Sequence, residues 1–556
     1  MDLLRGMQPL MQPSSLRVYM SQNMRRPLQN KPLRGQICAE GGFFGYHKLN
    51  RDYNKSLSPG PADGAGMVVI LMLLCYGFWE ETKREGARMH WMTRVKDFFG
   101  VQDMTTGKPM TKLIQFSLPL LVGNLAQQLY NTVDSIVVGK YIGDTALAAV
   151  GTAGPILNLL LVLFMGVATG ASIMASQYFG ARDRDALSRV VGSTIMLTLF
   201  SGLLMTVVGF FASPLLIGMI APPADVADGA VIYLKIIFIG ILGGGAYNIL
   251  SGVLRGIGDS FWPLVYLIVA CLLNIVLDIL FVAQFNMGIA GVAWATIIAQ
   301  AVSGALCLIR LVRMKDIIDI NRKTLVPDGP LTRKLCMLGL PAGITQALFS
   351  MSAIVVQGLT NTLGTAVIAA NVAIMRVDGF AMMPNFTFGT ASTTFVGQNI
   401  GARRIDRVRQ GVKDLTKLAL GTALVLVACI LLFGHNLIGL FTETEDVIDI
   451  GIRGLRWLAL GYIAFAVSQV LQGAMRGAGE TMVPMWISII CTIVIRMPLA
   501  YLLVYLTRSE TWPKGNPEAL FASLLISWLL GMAMTVFTYK RGAWKRRLPE
   551  DLLRES

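Results

Sequence analysis

The chain has 556 residues, of which 54% are hydrophobic and only 15% are charged, and its mean hydropathy is +0.59. A soluble protein of this length would carry roughly 25% charged residues, so the composition excludes an ordinary soluble enzyme and indicates a protein that sits in a bilayer. The net charge of +15 does not indicate nucleic-acid binding, because the basic residues lie between apolar runs and not in one patch.

The N-terminal region differs from the rest of the chain. Residues 1–65 are rich in Pro, Gly, Asn and Arg and show no helical period. The apolar run at 66–78 is shorter than the roughly 20 residues that a spanning helix needs. We therefore expect residues 1–103 to form an extension that is disordered or lies outside the fold.

From Lys112 onward, long apolar segments without strict alternation follow one another closely, which predicts spanning helices. The fold class that follows is an all-α polytopic membrane protein with twelve transmembrane helices. The predicted spans are 112–138, 147–176, 189–217, 230–254, 262–284, 290–313, 335–362, 366–397, 413–434, 448–473, 482–506 and 519–539.

The Lys and Arg residues predict the orientation. They are concentrated in the connections after the second, sixth and eighth spans and in the C-terminal tail, and they are scarce in the opposite connections. Because cytoplasmic loops carry the excess of Lys and Arg, we expect both ends of the core to be cytoplasmic.

The two halves of the chain resemble each other at a nearly constant offset. Three motifs in the same order at one spacing indicate two parallel six-helix repeats, an arrangement suited to alternating access. We expect an N-lobe at 104–318, a C-lobe at 319–545 and a cytoplasmic tail at 546–556. The matching motifs are Leu118-Pro119 with Leu340-Pro341, SQYFGAR (176–182) with GQNIGAR (397–403), and SGVLRGIGDSFWPL (251–264) with QGAMRGAGETMVPM (472–485).

Acids inside membrane spans are costly, roughly 2.5–3.5 kcal/mol on insertion scales, and are usually functional. Asp134 lies in the first span and Asp278 in the fifth, whereas the repeat places only apolar residues at the matching C-lobe positions, so these acids are not needed for the shared scaffold. Polar neighbours at helical spacing or in adjacent spans could join them: Asn131, Asn274, Asn248 and Thr296. Such a group could exchange protons, or its oxygens could hold Na⁺ at Asp134, Asn274 and Asp278; a hydrogen-bonded structural role is the alternative.

Arg376 and Asp378 lie in the eighth span, two positions apart and so on different helix faces. Either a structural or gating role or a substrate role fits them, and Arg496 is a candidate partner for Asp378. The nearby methionines, including Met375, could line an adaptable cavity, although such residues usually serve packing. Neither a nucleotide-binding motif nor a metal or nucleophile constellation is found in the sequence, so we expect no cofactor and no enzyme activity.

The stretch from Met104 to about Arg541 resembles the multidrug and toxic compound extrusion (MATE) transporters. The carrying motifs are DMTTGKPMTKLIQFSLPLLVGNLAQQLYNTVDSIVVGKYIG, SQYFGAR with GQNIGAR, and LRGIGD with MRGAGE. The resemblance implies the MATE/MOP-type fold and outward antiport of organic, often cationic, compounds against H⁺ or Na⁺. It also implies a bacterial plasma membrane location, small organic substrates and a monomer.

Within the family the chain is most similar to the DinF-type branch. That similarity implies a coupling site in the N-lobe, on Asp134, Asn248, Asn274, Asp278 and Thr296. The NorM-type branch instead places acids in the seventh and tenth spans. In this chain the predicted seventh span has no acid, and the tenth has only Asp449, at its edge. The candidate substrate cavity comprises Gln127, Tyr130, Asn131, Met375, Arg376 and Asp378.

A lipid-linked oligosaccharide flippase of the same superfamily is the alternative function. It would favour a basic cavity with several intramembrane arginines, and only Arg376 and Arg496 lie well inside the predicted spans. A passive channel fits poorly with two duplicated lobes and acids on one side.

Overall fold

The computed structural model describes residues 100–220, 222–510 and 512–547. Within these residues every regular element is a helix and no strand occurs, which confirms the predicted all-α fold class. The predictions for residues 1–99, with the apolar run at 66–78, and for the end of the tail at 548–556 lie outside the described residues.

The first half contains six long helices. Pro119, Pro155 and Pro214 lie inside α1, α2 and α3, where each removes one backbone hydrogen bond. Gly143 forms the turn between α1 and α2 with φ +105°, a conformation that favours glycine. The helices are α1 (Pro109–Tyr141), α2 (Asp144–Gly180), α3 (Arg184–Ile220), α4 (Ala224–Gly256), α5 (Phe261–Ile279, continued by a π-helical turn over Leu280–Gln284) and α6 (Gly288–Arg313).

The second half repeats this order. The Asp328 side chain accepts a hydrogen bond from the Leu331 amide at 3.2 Å and so caps α7. A π-helical turn occurs in the fifth helix of each half; the first begins just after Asp278 and the second ends at Arg496. The helices are α7 (Gly329–Leu363), α8 (Thr365–Gly401), α9 (Ile405–Gly439), α10 (Glu445–Gly477), α11 (Met482–Leu506, with a π-helical turn over Ile490–Arg496) and α12 (Glu518–Lys540).

Ten of the described helices, α3 to α12, have the length and composition needed to cross a membrane. This agrees with a multi-pass membrane protein. The first two helices, α1 and α2, are not among the ten, so the total of twelve spans stays a prediction.

Equivalent helices pack in the same way in the two halves. Helix α4 contacts α2, α3 and α6, and its counterpart α10 contacts α8, α9 and α12. Between the halves α2 contacts both α7 and α8, and the backbones come close: a Cβ on Gly170 would lie 2.4 Å from the Leu335 carbonyl oxygen. The pattern is that of two lobes joined mainly through α2, α7 and α8.

The segment before α1 is part of the packed fold. The Gln102 amide donates to the Gly258 carbonyl at 3.0 Å, and the Met104 amide donates to the Gln398 side chain at 2.9 Å. Arg407 donates to the carbonyl oxygens of Met104 and Thr106. The segment therefore touches both lobes, and the packed chain begins ahead of the predicted boundary at residue 103.

Candidate transport site

The repeated motifs meet at one end of the bundle, which we call the motif end. There the Gln177 amide group donates to the Gly477 carbonyl of the other lobe at 3.0 Å. The Gln398 amide group, its counterpart in the repeat, donates to the Gly256 carbonyl at 3.1 Å. Each lobe thus holds the other through the same pair of motif residues, and the two lobes are closed on each other at this end.

Glycine allows the two lobes to approach this closely. A Cβ on Gly180 would lie 1.9 Å from the carbonyl oxygen of Gln398, and a Cβ on Gly401 would lie 1.9 Å from that of Gln177. No larger residue fits either position without moving a backbone. The contact between α2 and α8 therefore explains the glycine of the repeated Gly-Ala-Arg motif.

Each repeated motif ends in an acid, Asp259 or Glu480, that caps the helix following it. Asp259 accepts from the Trp262 amide at 3.2 Å and pairs with Arg310 at 3.1 Å. Burial raises the pKa of the Asp259 carboxyl above its ordinary value, against the opposing effect of the Arg310 guanidinium. Glu480, the counterpart, accepts from the Val483 amide at 3.2 Å. These two acids have structural roles at the start of α5 and α11.

A cavity of about 440 Å³ lies between the lobes, and we call it the central cavity. It is within the size range of sites for small molecules. Helices of both lobes line it, and its polar residues include Asn124, Asn248, Gln469, Arg255 and Arg476. Apolar and polar side chains are thus mixed on its wall, and the charged residues among the described lining are both basic.

A separate group of polar side chains lies inside the N-lobe. Asp134, Asn274, Asp278 and Thr296 form what we call the acid cluster. Asn274 and Asp278 are fully buried and Thr296 is 8% exposed. The carboxyl groups of Asp134 and Asp278 are close enough to act on each other electrostatically. Asp278 follows Phe261 at the motif end by about five helical turns, or about 26 Å, so the cluster lies deep in the bundle.

The polar atoms of the acid cluster lack partners. Among the described residues, both oxygens of Asp278, one of Asp134, both polar atoms of Asn274 and the Thr296 hydroxyl make no hydrogen bond. Unpaired buried groups of this kind cost about 1–3 kcal/mol each. The acid cluster is therefore not a completed hydrogen-bond network among the described residues.

The comparisons with known proteins decide the family. The family model described as MatE matches the chain twice, over residues 119–280 and 341–502. The chain belongs to the MATE family. The second match begins and ends at the same offset from the first, which confirms the internal repeat.

Individual MATE relatives agree. The "Probable multidrug resistance protein YoeA" of Bacillus subtilis is 30% identical over 78% of this chain and 93% of the relative. The "Probable multidrug resistance protein NorM" of Thermotoga maritima is 26% identical over 71% of this chain and 85% of the relative. A solved structure described as the "Outward-facing conformation of a multidrug resistance MATE family transporter of the MOP superfamily" has a TM-score of 0.74 and 25% identity over 80% of this chain and 99% of that one.

Four of the five predicted coupling residues in this MATE protein come together as the acid cluster. The fifth, Asn248, lines the central cavity, and its amide group donates to the Gly244 carbonyl at 2.9 Å. On α4 it lies about 22 Å along the helix axis from Tyr233, which is close to both acids. Tyr233, 5% exposed, was not predicted, because a tyrosine in an apolar run carries no sequence signal of its own.

None of the predicted substrate residues whose side chains are described lines the central cavity. Tyr130 is half-buried near the acid cluster instead, and Gln127 is also half-buried on α1. Met375 and Arg376 are exposed. The Asn131 side chain is outside the described residues.

Asp378, the remaining predicted substrate residue, belongs to a C-lobe network. It accepts a hydrogen bond from the Tyr462 hydroxyl at 2.9 Å, and the charge of Arg496 acts on it, as the sequence suggested. Arg496 also lies 3.5 Å from the Ser352 hydroxyl. Because Asp378 has a donor and a nearby cation, its surroundings favour a structural role.

Proposed function

We propose that this protein is a cation-coupled antiporter that exports small organic compounds across a bacterial plasma membrane, driven by H⁺ or Na⁺ at the acid cluster. The observation that carries the proposal is that oxygens of Asp134, Asn274, Asp278 and Thr296 have no hydrogen-bond partner among the described residues. The names of the multidrug resistance relatives support organic compounds as the exported substrates.

The chemistry of the acid cluster suits either ion. Two carboxyl groups that act on each other electrostatically in a buried site would take up a proton, since it is costly for both to be ionised there. Carboxylate, amide and hydroxyl oxygens are also the ligands that hard cations prefer, so Na⁺ would be held by Asp134, Asn274, Asp278 and Thr296. In both cases the ion enters as a co-substrate.

Closure of the motif end supports alternating access by the two lobes. The basic loops predict that the motif end is cytoplasmic, and the lobes are hydrogen-bonded there through Gln177 and Gln398. The described conformation would then be outward-facing, in keeping with the likeness to a MATE transporter solved in that state. The return step requires these contacts to break. The protein would work as a monomer with both core ends cytoplasmic.

The test is efflux of a lipophilic cation panel from proteoliposomes under an imposed H⁺ gradient or an imposed Na⁺ gradient. One gradient should drive efflux by the natural protein, and Asp134→Asn and Asp278→Asn should each reduce it to the level of protein-free liposomes. The control is Asp449→Asn, which changes an exposed acid paired with Arg453. Full gradient-driven efflux by Asp134→Asn, at equal amounts of folded protein, would reject the coupling mechanism.

A further inference from the structure

The two charged residues of the central cavity are related by the internal repeat. Arg255 lies in LRGIGD at the end of α4, and Arg476 occupies the matching place in MRGAGE at the end of α10. Both side chains line the central cavity, one from each lobe. Arg255 and Arg476 lie just beyond the predicted spans at 230–254 and 448–473, so the sequence predicts only Arg376 and Arg496 as intramembrane arginines.

Neither arginine has a partner within the described residues. Neither guanidinium donates a hydrogen bond or forms an ion pair there, whereas Arg310 at the same end is paired with Asp259. Among the described residues that line the central cavity there is no Asp or Glu. Charged side chains in such places are costly unless something compensates them, and the partial negative charge of a helix C-terminus compensates only weakly.

The rest of the cavity wall suits the body of an organic molecule. Met165 and Phe386 are about half exposed, at 53% and 46%, and both face the cavity together with Phe349 and Met383. Neutral donors such as Gln472 complete the wall. An apolar surface next to two guanidinium groups matches a molecule with an apolar body and an acidic head.

We propose that the central cavity binds organic compounds that carry an anionic group, a carboxylate, sulfonate or phosphate, held between Arg255 and Arg476. Guanidinium groups bind these oxyanions through paired hydrogen bonds. Because each lobe supplies one arginine, the anionic group bridges the lobes at the motif end of the cavity. The inference names the substrate class for the proposed export function and so rests on that function, and it departs from the cationic compounds that the family resemblance implies.

The test measures binding to the full-length purified protein with three compounds that share a biphenyl body: biphenyl-4-carboxylate, biphenyl-4-carboxamide and biphenyl-4-methylammonium. Isothermal titration in detergent needs no ion gradient, so its result is independent of whether the antiport mechanism is correct. The carboxylate should bind at least about tenfold more tightly than the neutral amide, which corresponds to about 1.4 kcal/mol. The ammonium compound should bind most weakly.

Variants identify the source of this preference. Arg255→Gln and Arg476→Gln should each remove most of the preference for carboxylate over amide and leave amide binding unchanged. Arg255→Lys keeps the charge but loses paired hydrogen bonding, and should retain part of the preference. The matched control is Arg376→Gln, which removes an exposed arginine of α8 and should leave the preference intact.

Two results would overturn the inference. One is tighter binding of the ammonium compound than of the carboxylate by the natural protein, which is decisive even if the arginine variants do not fold. The other is an unchanged carboxylate preference in both folded Gln variants. If the carboxylate binds as expected but no gradient drives its efflux from proteoliposomes, the binding site stands and the proposed function fails.

Discussion

The two lobes share a scaffold and differ in their buried acids. In the N-lobe the carboxyl oxygens of Asp278 are buried without a hydrogen-bond partner among the described residues, and the repeat places Leu499 at the matching position. In the C-lobe Asp378 receives the Tyr462 hydroxyl and lies near Arg496. A buried acid with partners stabilises its surroundings, whereas one without partners costs stability and is expected to be kept for function.

The largest expected effect comes from giving the N-lobe the residue that the C-lobe already has. Asp278→Leu should abolish gradient-driven efflux. The free energy of unfolding should stay equal or rise by up to about 1–3 kcal/mol, because an apolar side chain replaces an unpaired buried acid. Efflux and thermal unfolding of the same preparation measure both. A marked loss of stability would show that Asp278 is a structural acid, and the contrast between the lobes would fail.

The next-largest effect is expected at a feature that the two lobes share, the glycines that allow them to meet at the motif end. Gly401→Ala and Gly180→Ala should each prevent full closure of the motif end, since the added Cβ would lie 1.9 Å from a backbone oxygen of the other lobe. Overpacking of this kind costs about 1–3 kcal/mol or more. Spin labels at the exposed positions Asp185 and Gln410, in a cysteine-free background, should report a longer distance.

A control for the glycine substitutions is available on the next helix. Gly421→Ala in α9 places a Cβ in open space and should leave the label distance unchanged. Equal effects of Gly180→Ala and Gly401→Ala are expected from the repeat, and an effect in only one lobe would contradict the symmetric contact.

The glutamine pair should show a smaller and unequal effect. Gln398→Ala removes both the bond to Gly256 and the acceptor of the Met104 amide, a fully buried group that is then left unpaired. An unpaired Met104 amide costs the closed state about 1–3 kcal/mol, which shifts the equilibrium toward the open motif end by about 5- to 150-fold. Gln177→Ala removes one half-buried bond to Gly477, worth about 0.5–1.5 kcal/mol. The same label distance measures both; a larger shift for Gln177→Ala would contradict the assignment.

The smallest effect on transport is expected in the C-lobe network. Tyr462→Phe takes the hydroxyl from Asp378 and should cost about 1–3 kcal/mol of stability, while gradient-driven efflux continues. Thermal unfolding in detergent measures the loss. If Tyr462→Phe abolished efflux in folded protein, the C-lobe acid would have to be counted as part of the coupling machinery.

Much of this protein could be predicted from its sequence because the relevant signals are local. Hydropathy over windows as long as a bilayer crossing predicted the spanning helices. The constant offset between the halves predicted the repeat that the family model matches twice. The same offset singled out Asp134 and Asp278 by showing that the other half lacks them. Asn274 and Asp278 are four residues apart in α5, and this spacing predicted that they would share one face of the helix in the acid cluster.

Only the tertiary structure decided which helix faces meet. Gln177 and Gln398 were recognised as repeated residues, but their bonds to Gly477 and Gly256 join segments that are far apart in the chain. Asn248 was predicted to lie at the acid cluster, and in the structure it lines the central cavity, as Arg255 does. The physical reason is that composition and period fix whether a segment is a helix, whereas its rotation and depth depend on packing against every neighbouring helix at once.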